Sequence, residues 1–508
     1  MAEEIELKLR VQAADLPSIR SALTRLAGGV RARQTKLTSL YFDTPDLILL
    51  RAGAALRVRR VGRRWVQTLK GGGMVHGGLH VRAERESPVA GPVPDVTRIE
   101  LTLPALSWPE IAPQLVAIFS TEFQRSLWRI SHQGSEIEAA LDRGQVSSGK
   151  RRKDILELEL ELKAGQPAVL YALALELAAL APLAPDPVSK AERGYRLFQG
   201  VPLTPVKAAM PALDASCTVE QTFAAIVWNC LDQLQRNQRG VVEQSDPEFI
   251  HQMRVGLRRL RSALSLFATA VPRASWHAWA AELRWLAGEL GAARDWDVLK
   301  EELLPPLIAY LQDRRPLTYL PNRVARERLQ ARRKARAATL SPRYGLLVLS
   351  IERWLGARAW RAGASAEQLE LLDGAIGPLA EMLLDRRHQQ LHRRARHLAR
   401  LSDEKRHRVR VTAKKLRYAA EFFVSLYPRK AARPYLAGLV ALQDVLGALN
   451  DDATALRHAA ELCTASRDPR CRDEAGILAG WSASRMSQQL QQLGKAWKRC
   501  RRQRPFWD

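Results

Sequence analysis

The segment Glu4-Ile5-Glu6-Leu7-Lys8 alternates charge and hydrocarbon at every second residue. A β-strand turns such residues to opposite faces, so Glu4, Glu6 and Lys8 share one side while Ile5, Leu7 and Leu9 share the other. Residues 155–163 repeat the pattern, with Glu157, Glu159 and Glu161 set between Leu156, Leu158, Leu160 and Leu162. Between the two acidic ladders, Arg57-Val58-Arg59, Gln67-Thr68-Leu69-Lys70 and His80-Val81-Arg82-Ala83-Glu84 also read as short strands with charged residues two apart. The alternation marks residues 1–200 as a β-rich domain.

Beyond it the pattern changes. Val201 to Pro211 carries Pro202, Pro205 and Pro211 and reads as a linker, placed at 201–214. From about 215 to 508 apolar residues recur at three- and four-residue spacing, as in an all-helical domain. This region repeats itself. His251, Arg254, Arg258 and Arg261 recur as His407, Arg410, Lys414 and Arg417, and Leu290-Gly291-Ala292 with Asp295 recurs as Leu446-Gly447-Ala448 with Asp451. The constant offset of 156 residues indicates duplicated helical halves. At about 100° per residue, the four basic positions of each copy fall in one sector, with Met253, Leu257, Leu260, Leu264 and Phe267 opposite in the first copy. Val409, Ala413, Leu416, Ala420 and Phe423 form the same apolar face in the second, so a pseudo-twofold would let the two basic stripes face one groove.

Closely spaced carboxylates raise one another's pKa values unless a cation lies between them, and hard divalent ions such as Mg²⁺ take all-oxygen ligands of this kind. A barrel lined by the intervening Arg and Lys residues is positively charged and suits phosphate oxygens. Acids for a metal beside many cations point to a short phosphate chain as guest.

These residues resemble the CYTH family, the triphosphate tunnel metalloenzymes, whose mark is an N-terminal ExExK. The resemblance covers about residues 1–200. It rests on Glu4, Glu6 and Lys8, Tyr41-Phe42-Asp43-Thr44-Pro45, Leu56-Arg57-Val58-Arg59, Lys70 before glycines, and Arg82 with Glu84. Arg125, Leu141-Asp142-Arg143-Gly144, the Glu159/Glu161 ladder and Ser189-Lys190-Ala191-Glu192-Arg193-Gly194-Tyr195 continue it in family order. It implies an antiparallel β-barrel that hydrolyses inorganic triphosphate to pyrophosphate and phosphate. Lys8, Arg57, Arg59, Lys70, Arg82, Arg125 and Lys190, with Lys36 a further candidate, would hold the substrate. Glu4, Glu6, Glu84, Asp142, Glu159 and Glu161 would hold Mg²⁺ or Mn²⁺; which of Glu157, Glu159 and Glu161 reach the metal stays open. Relatives of this barrel also act on thiamine triphosphate or RNA 5′-triphosphate ends, or cyclise ATP to cAMP, and a non-catalytic polyphosphate- or nucleic-acid-binding protein is the remaining alternative. Tyr41 to Pro45 is expected to be a strand end and turn, outside the site.

The second region, about 215–508, resembles the CHAD domain, a histidine-containing helical module associated with inorganic polyphosphate. Its motif residues would be His251, Arg254, Arg258 and Arg261, then His407, Arg410, Lys414 and Arg417. The expected fold is therefore multi-domain α+β: a β-barrel tunnel followed by an all-α duplicated helical bundle.

Charge sharpens the choice of partner. The formal net charge of +26 is uneven, with 28 Lys and Arg against 22 Asp and Glu in residues 1–200, and 51 against 31 in residues 201–508. Such a balance calls for an anionic partner. Single-strand binders set aromatic residues among their cations to stack bases, and neither stripe has one, so polyphosphate is favoured over nucleic acid. His388, His392 and His397 have no counterpart near 232–241 and read as surface. The five cysteines form no CxxC pair, which fits a reducing compartment and no zinc site. Every apolar run is broken by charge before about 18 residues, and the expected location is the cytoplasm with no membrane contact.

Overall fold

The computed structural model describes residues 3–99, 106–465 and 468–507. It divides into two units, Met1–Pro205 with Thr339–Arg358, and Val206–Ala338 with Ala359–Asp508.

In the first unit the alternating segments form strands: β1 (Glu3–Arg10), β2 (Arg33–Asp43), β3 (Ala54–Val61), β4 (Arg64–His76), β5 (Leu79–Val89), β6 (Val116–His132), β7 (Ser135–Ser148) and β8 (Arg151–Ala164), with the short β9 (Ala184–Pro185) beside β1. Their order is β5-β4-β3-β2-β6-β7-β8-β1, and β1 pairs back onto β5, closing an eight-stranded antiparallel barrel. Charged residues occupy its interior, so the hydrocarbon face is outside and must be covered. Leu7, Leu9, Leu158 and Leu160 are fully buried against a layer that includes Ile19 and Leu23 of the helix Leu16–Leu26 and Leu170, Leu173 and Leu177 of the helix Ala168–Ala178. At about 1.5–3 kcal/mol for each buried Leu, this outer layer stabilises strands whose other face is charged.

The helix Lys190–Gln199 brings Lys190 to the barrel. Ser189 caps it by accepting from the Glu192 N–H, and Gly200 ends it with a left-handed φ of 67°. Gly194 permits the approach, since a methyl there would collide with the Phe119 ring of β6. A second attachment comes from far along the chain. The helix Pro342–Gly356 packs on the Ala168–Ala178 helix and on β9, with Gly345 against the Leu183 carbonyl. Gln12 donates to the Leu340 carbonyl at 3.1 Å. The sequence pattern predicts a continuous helical region over 215–508, whereas residues 339–358 belong by their contacts to the barrel unit.

The second unit is helical throughout. The first repeat helix, Pro247–Leu266, starts at the Asp246 cap, and the second, Asp403–Phe423, at the Ser402 cap. Their apolar faces, Met253 to Phe267 and Val409 to Phe423, are buried as the wheel geometry predicts. Phe267 and Phe423, which occupy the same place in the two copies, meet edge to face at 6.0 Å between ring centres. The linker is partly docked here: Val206 N–H donates to Asn237 at 2.9 Å, and the Ala209 carbonyl accepts from buried Arg259 at 3.1 Å.

Candidate functional site

The barrel encloses a cavity of about 770 Å³, counting its open mouth. All seven cations expected at the site, Lys8, Arg57, Arg59, Lys70, Arg82, Arg125 and Lys190, line it, together with Glu4, Glu6, Glu159 and Glu161. Glu84 and Asp142 stand outside the lining, tied to its cations: Glu84 to Arg57 at 3.2 Å and Lys70 at 3.2 Å, Asp142 to Arg125 at 2.6 Å and Lys190 at 2.7 Å. Lys36 lies elsewhere, 72% exposed in an ion pair with Glu122. Tyr41, Glu138 and Ser189 also line the cavity and were not expected. For Glu138 the signal was present in the alternation of Glu136, Ile137 and Glu138. The segment Tyr41 to Pro45, expected outside the site, divides: Tyr41 lines the cavity, while the Asp43 carboxylate accepts from the backbone of Thr44, Leu49 and Leu50 and from the Tyr195 hydroxyl.

Charge inside the barrel is divided unevenly. Asp142, Glu157 and Glu159 are buried with carboxylate oxygens within 4.8 Å of one another, a grouping able to hold a cation. The cation in their midst is the Lys190 ammonium, 2.7 Å from Asp142, 2.9 Å from Glu159 and paired with Glu157. Burial disfavours the Glu159 charge, but Lys190, Lys8 and Arg125 outweigh it and hold that carboxyl well below its ordinary range. Glu157 is further paired with Arg193. These acids are thus paired with lysines and arginines in the structure.

A second set of acids has cations of its own: Glu6 pairs with Lys8 at 2.9 Å, Glu4 with Lys70, and Glu161 and Glu138 share Lys163. Glu6 of β1 is the cross-strand partner of Glu161 of β8, and Glu161 is also opposite Glu138 of β7. Burial raises the Glu161 pKa; Lys163 opposes the rise, and Glu4 and Glu6 add to it. Glu4, Glu6, Glu138 and Glu161 are thus strand-mounted oxygen donors set close together, a donor set that fits a hard divalent ion, and at Glu161 the Lys163 ion pair does not cancel the effect of burial and of Glu4 and Glu6.

The cations show the converse. Arg59 donates to Ser39 at 3.0 Å, and burial, followed by Arg57 and Arg125, pulls its pKa down to about 10. The Phe123 ring carries three of the cations, with Lys190, Arg125 and Arg59 at 5.1, 5.7 and 5.9 Å from its centre. Of these three, Arg125 and Lys190 are ion-paired, while Arg59 forms no ion pair with a carboxylate among the described residues and is open to an anionic guest.

In the helical unit, the two repeat helices bring Arg254 and Arg258 into the electrostatic reach of Arg410 and Lys414. Arg254 pairs with Asp295 at 3.3 Å, and Asp451, the equivalent of Asp295, attracts Arg410. The Nε atoms of Arg258 and Arg410 are buried without a hydrogen-bond partner. His251 is half-buried, and burial, then Arg294, lowers its pKa to about 4. His407 is exposed, 3.2 Å from Asn450. The remaining two residues of the stripes have other neighbours: Arg417 pairs with Glu421 at 2.6 Å, and Arg261 is exposed near Arg284. The histidine cluster is less superficial than expected. His388 and His392 are half-buried with ring centres 4.1 Å apart, and His388 Nδ1 lies 2.8 Å from the Tyr435 hydroxyl, while His397 is exposed.

A closed antiparallel barrel with a charged bore, followed by a duplicated helical unit, defines the class of protein. Residues 2–195 match the CYTH domain family and residues 225–460 the CHAD domain family, so the chain carries one domain of each. The inorganic triphosphatase of Haemophilus influenzae is 33% identical over 201 residues, covering 39% of this chain and 55% of that relative, about half its length. The crystal structure of the CHAD domain from the plant Ricinus communis is 35% identical, covers 59% of this chain and 98% of that one, and superposes with a TM-score of 0.51. HpAC1 from Hippeastrum, with a dominant triphosphatase activity of its own, is 20% identical over 40% of this chain and 98% of that one; its TM-score of 0.29 is too low to argue from. Among the described residues, no helix is long and apolar enough to cross a membrane.

Proposed function

We propose that the protein is a metal-dependent inorganic triphosphatase whose helical unit binds polyphosphate. The observation that carries the reading is the division of charge in one cavity: among the described residues Arg59 forms no ion pair with a carboxylate, and Glu161 faces two other acids on the neighbouring strands. A triphosphate satisfies the first and a divalent cation the second.

In this reading Lys8, Arg57, Arg59, Lys70, Arg82, Arg125 and Lys190 hold the phosphate chain, with Glu84, Asp142 and Glu159 fixing the cations rather than the metal. Glu4, Glu6 and Glu161, joined by Glu138, are the residues that would hold Mg²⁺ or Mn²⁺. When bound, such an ion supplies Lewis-acid neutralisation of phosphate charge and lowers the pKa of a coordinated water. The chain itself contributes positioning and charge, which suffices for transfer of a phosphoryl group to water without a side-chain nucleophile. Polyphosphate, a chain of charge without bases, suits the cluster of Arg254, Arg258, Arg410 and Lys414, whose two stripes contain no aromatic residue to stack a base. The test is phosphate release from inorganic triphosphate, thiamine triphosphate, ATP and a 5′-triphosphorylated RNA, each with Mg²⁺ and with EDTA. Inorganic triphosphate should be preferred and EDTA should stop its hydrolysis; preference for an organic triphosphate would move the assignment.

A further inference from the structure

The backbone of Lys8 is gripped from two sides. Its N–H donates to the Gly78 carbonyl at 2.9 Å, and its carbonyl accepts from the Asp186 N–H at 2.9 Å. Gly78 belongs to the turn Gly77-Gly78 between β4 and β5, and Asp186 directly follows β9. The two brackets meet at this residue, since a methyl on Gly78 would overlap both the Lys8 carbonyl and Pro185 of β9. Where the turn and β9 are held therefore decides how Lys8 is presented to the cavity it lines.

Both brackets rest on the helix Pro342–Gly356. At about 100° per residue, Gly345, Leu349 and Glu352 of that helix share one face. Gly345 lies so close to the Leu183 carbonyl, just before β9, that no side chain fits between them. Leu349 is fully buried in the layer that covers Leu7 and Leu9 of β1. Glu352 is fully buried as well, and its Oε1 stands where a side chain on Gly77 would be. With a left-handed φ of 58° and no Cβ, Gly77 leaves the space that this carboxylate fills. A hydrocarbon side chain would cover an apolar layer without the desolvation cost of a carboxylate, so the polar group is placed for the turn rather than for the core.

We propose that Glu352 is a positioning residue of the barrel site, acting on Lys8 through the Gly77-Gly78 turn, and that residues 339–358 are thereby part of the hydrolase although they fall within helical sequence. The inference rests on the triphosphatase reading, in which Lys8 binds phosphate. The tip of Lys8 is fixed by its ion pairs with Glu6, at 2.9 Å, and with Glu159. Its root is fixed by the turn. The same turn joins the strands that carry Lys70 and Arg82, so moving it shifts three of the cavity's cations relative to the rest.

The experiment uses the full chain and two readouts, amide hydrogen exchange at the peptide carrying Lys8 and kcat/KM for inorganic triphosphate. Glu352→Ala should speed exchange at Lys8 by about tenfold or more, the scale of one backbone hydrogen bond, and leave residues 127–131 of β6 unchanged. Gly77→Ala, whose methyl would overlap the Glu352 carboxylate, should do the same; Gly62→Ala, at a φ of 62° with open space around it, carries the same backbone strain and should not. Glu352→Ala should also lower kcat/KM by about ten- to a hundredfold in the wild-type background and have little effect in Lys8→Ala, which a general loss of folded protein would not reproduce. Unchanged exchange at Lys8 in Glu352→Ala and Gly77→Ala overturns the proposal and leaves triphosphate hydrolysis standing. Equal kinetic losses with and without Lys8 overturn it as well. No hydrolysis by the wild type, with faster exchange at Lys8 in both variants, overturns the triphosphatase reading and upholds the anchoring of Lys8 by Glu352.

Discussion

Glu6 of β1 stands directly opposite Glu161 of β8, two carboxylates facing each other across an antiparallel ladder inside the barrel. Like charges so placed are destabilising, on the scale of about 0.2–1 kcal/mol for a cross-strand pair. Glu161→Gln should therefore raise the melting temperature of the barrel unit in EDTA while cutting Mg²⁺-dependent turnover by about a hundredfold or more, the loss that follows removal of one charge-stabilising group. A variant that melts lower and turns over normally would place the metal elsewhere.

Arg59 and Lys190 line the same cavity with opposite structural debts. Arg59 forms no ion pair with a carboxylate among the described residues, so Arg59→Ala should keep the fold and weaken kcat/KM by about ten- to a hundredfold, corresponding to the ~1.5–3 kcal/mol of a hydrogen bond to a charged group. Lys190→Ala takes from buried Asp142, Glu157 and Glu159 the one cation that all three share and should cost about 3–5 kcal/mol of stability. Denaturant unfolding and steady-state kinetics on both variants check the contrast; equal stability losses would contradict it.

His251 gives the helical unit a pH signature. Its pKa is lowered from 6.5 to about 4 in the folded chain, chiefly by burial. Between those values the unfolded chain binds the proton first, so stability falls as pH drops through the window and levels off below it. The unfolding midpoint should drop more between pH 6.5 and 4 in wild type than in His251→Gln, read by far-ultraviolet dichroism. Parallel curves would mean that His251 is solvated.

How far the sequence predicts all this depends on where the information lies. Strand alternation is local, so the charged bore was legible from Glu4-Ile5-Glu6-Leu7-Lys8 and from residues 155–163, and the offset of 156 residues foretold that Phe267 and Phe423 share a core. Roles of individual acids were not legible, because Glu159 and Glu161 sit two residues apart on one strand and differ in what comes to meet them: Lys190 and Arg125 for one, Glu6, Glu138 and the exposed Lys163 for the other. Nor could spacing show that residues 339–358 dock on the barrel unit, since an amphipathic helix does not announce which apolar layer it will cover.

The groove of the helical unit makes a separate prediction. Arg254 and Arg410 act within reach of the same neighbours, so Arg254→Glu with Arg410→Glu should weaken polyphosphate binding by more or less than the sum of the single losses, as coupled sites do. Affinity should fall steeply with salt, and single-stranded RNA of equal charge should compete poorly. Additive losses would put the stripes on separate surfaces, and tighter RNA binding would favour the nucleic-acid reading.

The measurement that bears most directly on the barrel is the initial rate of orthophosphate release from inorganic triphosphate by wild type, Glu4→Gln and Glu6→Gln across a titration of Mg²⁺. Wild type should be silent without the ion and saturate with it, yielding one pyrophosphate for each phosphate, while both variants stay near background at every concentration and retain wild-type dichroism. Turnover close to wild type in either folded variant at saturating Mg²⁺ would contradict a metal site built on these two carboxylates.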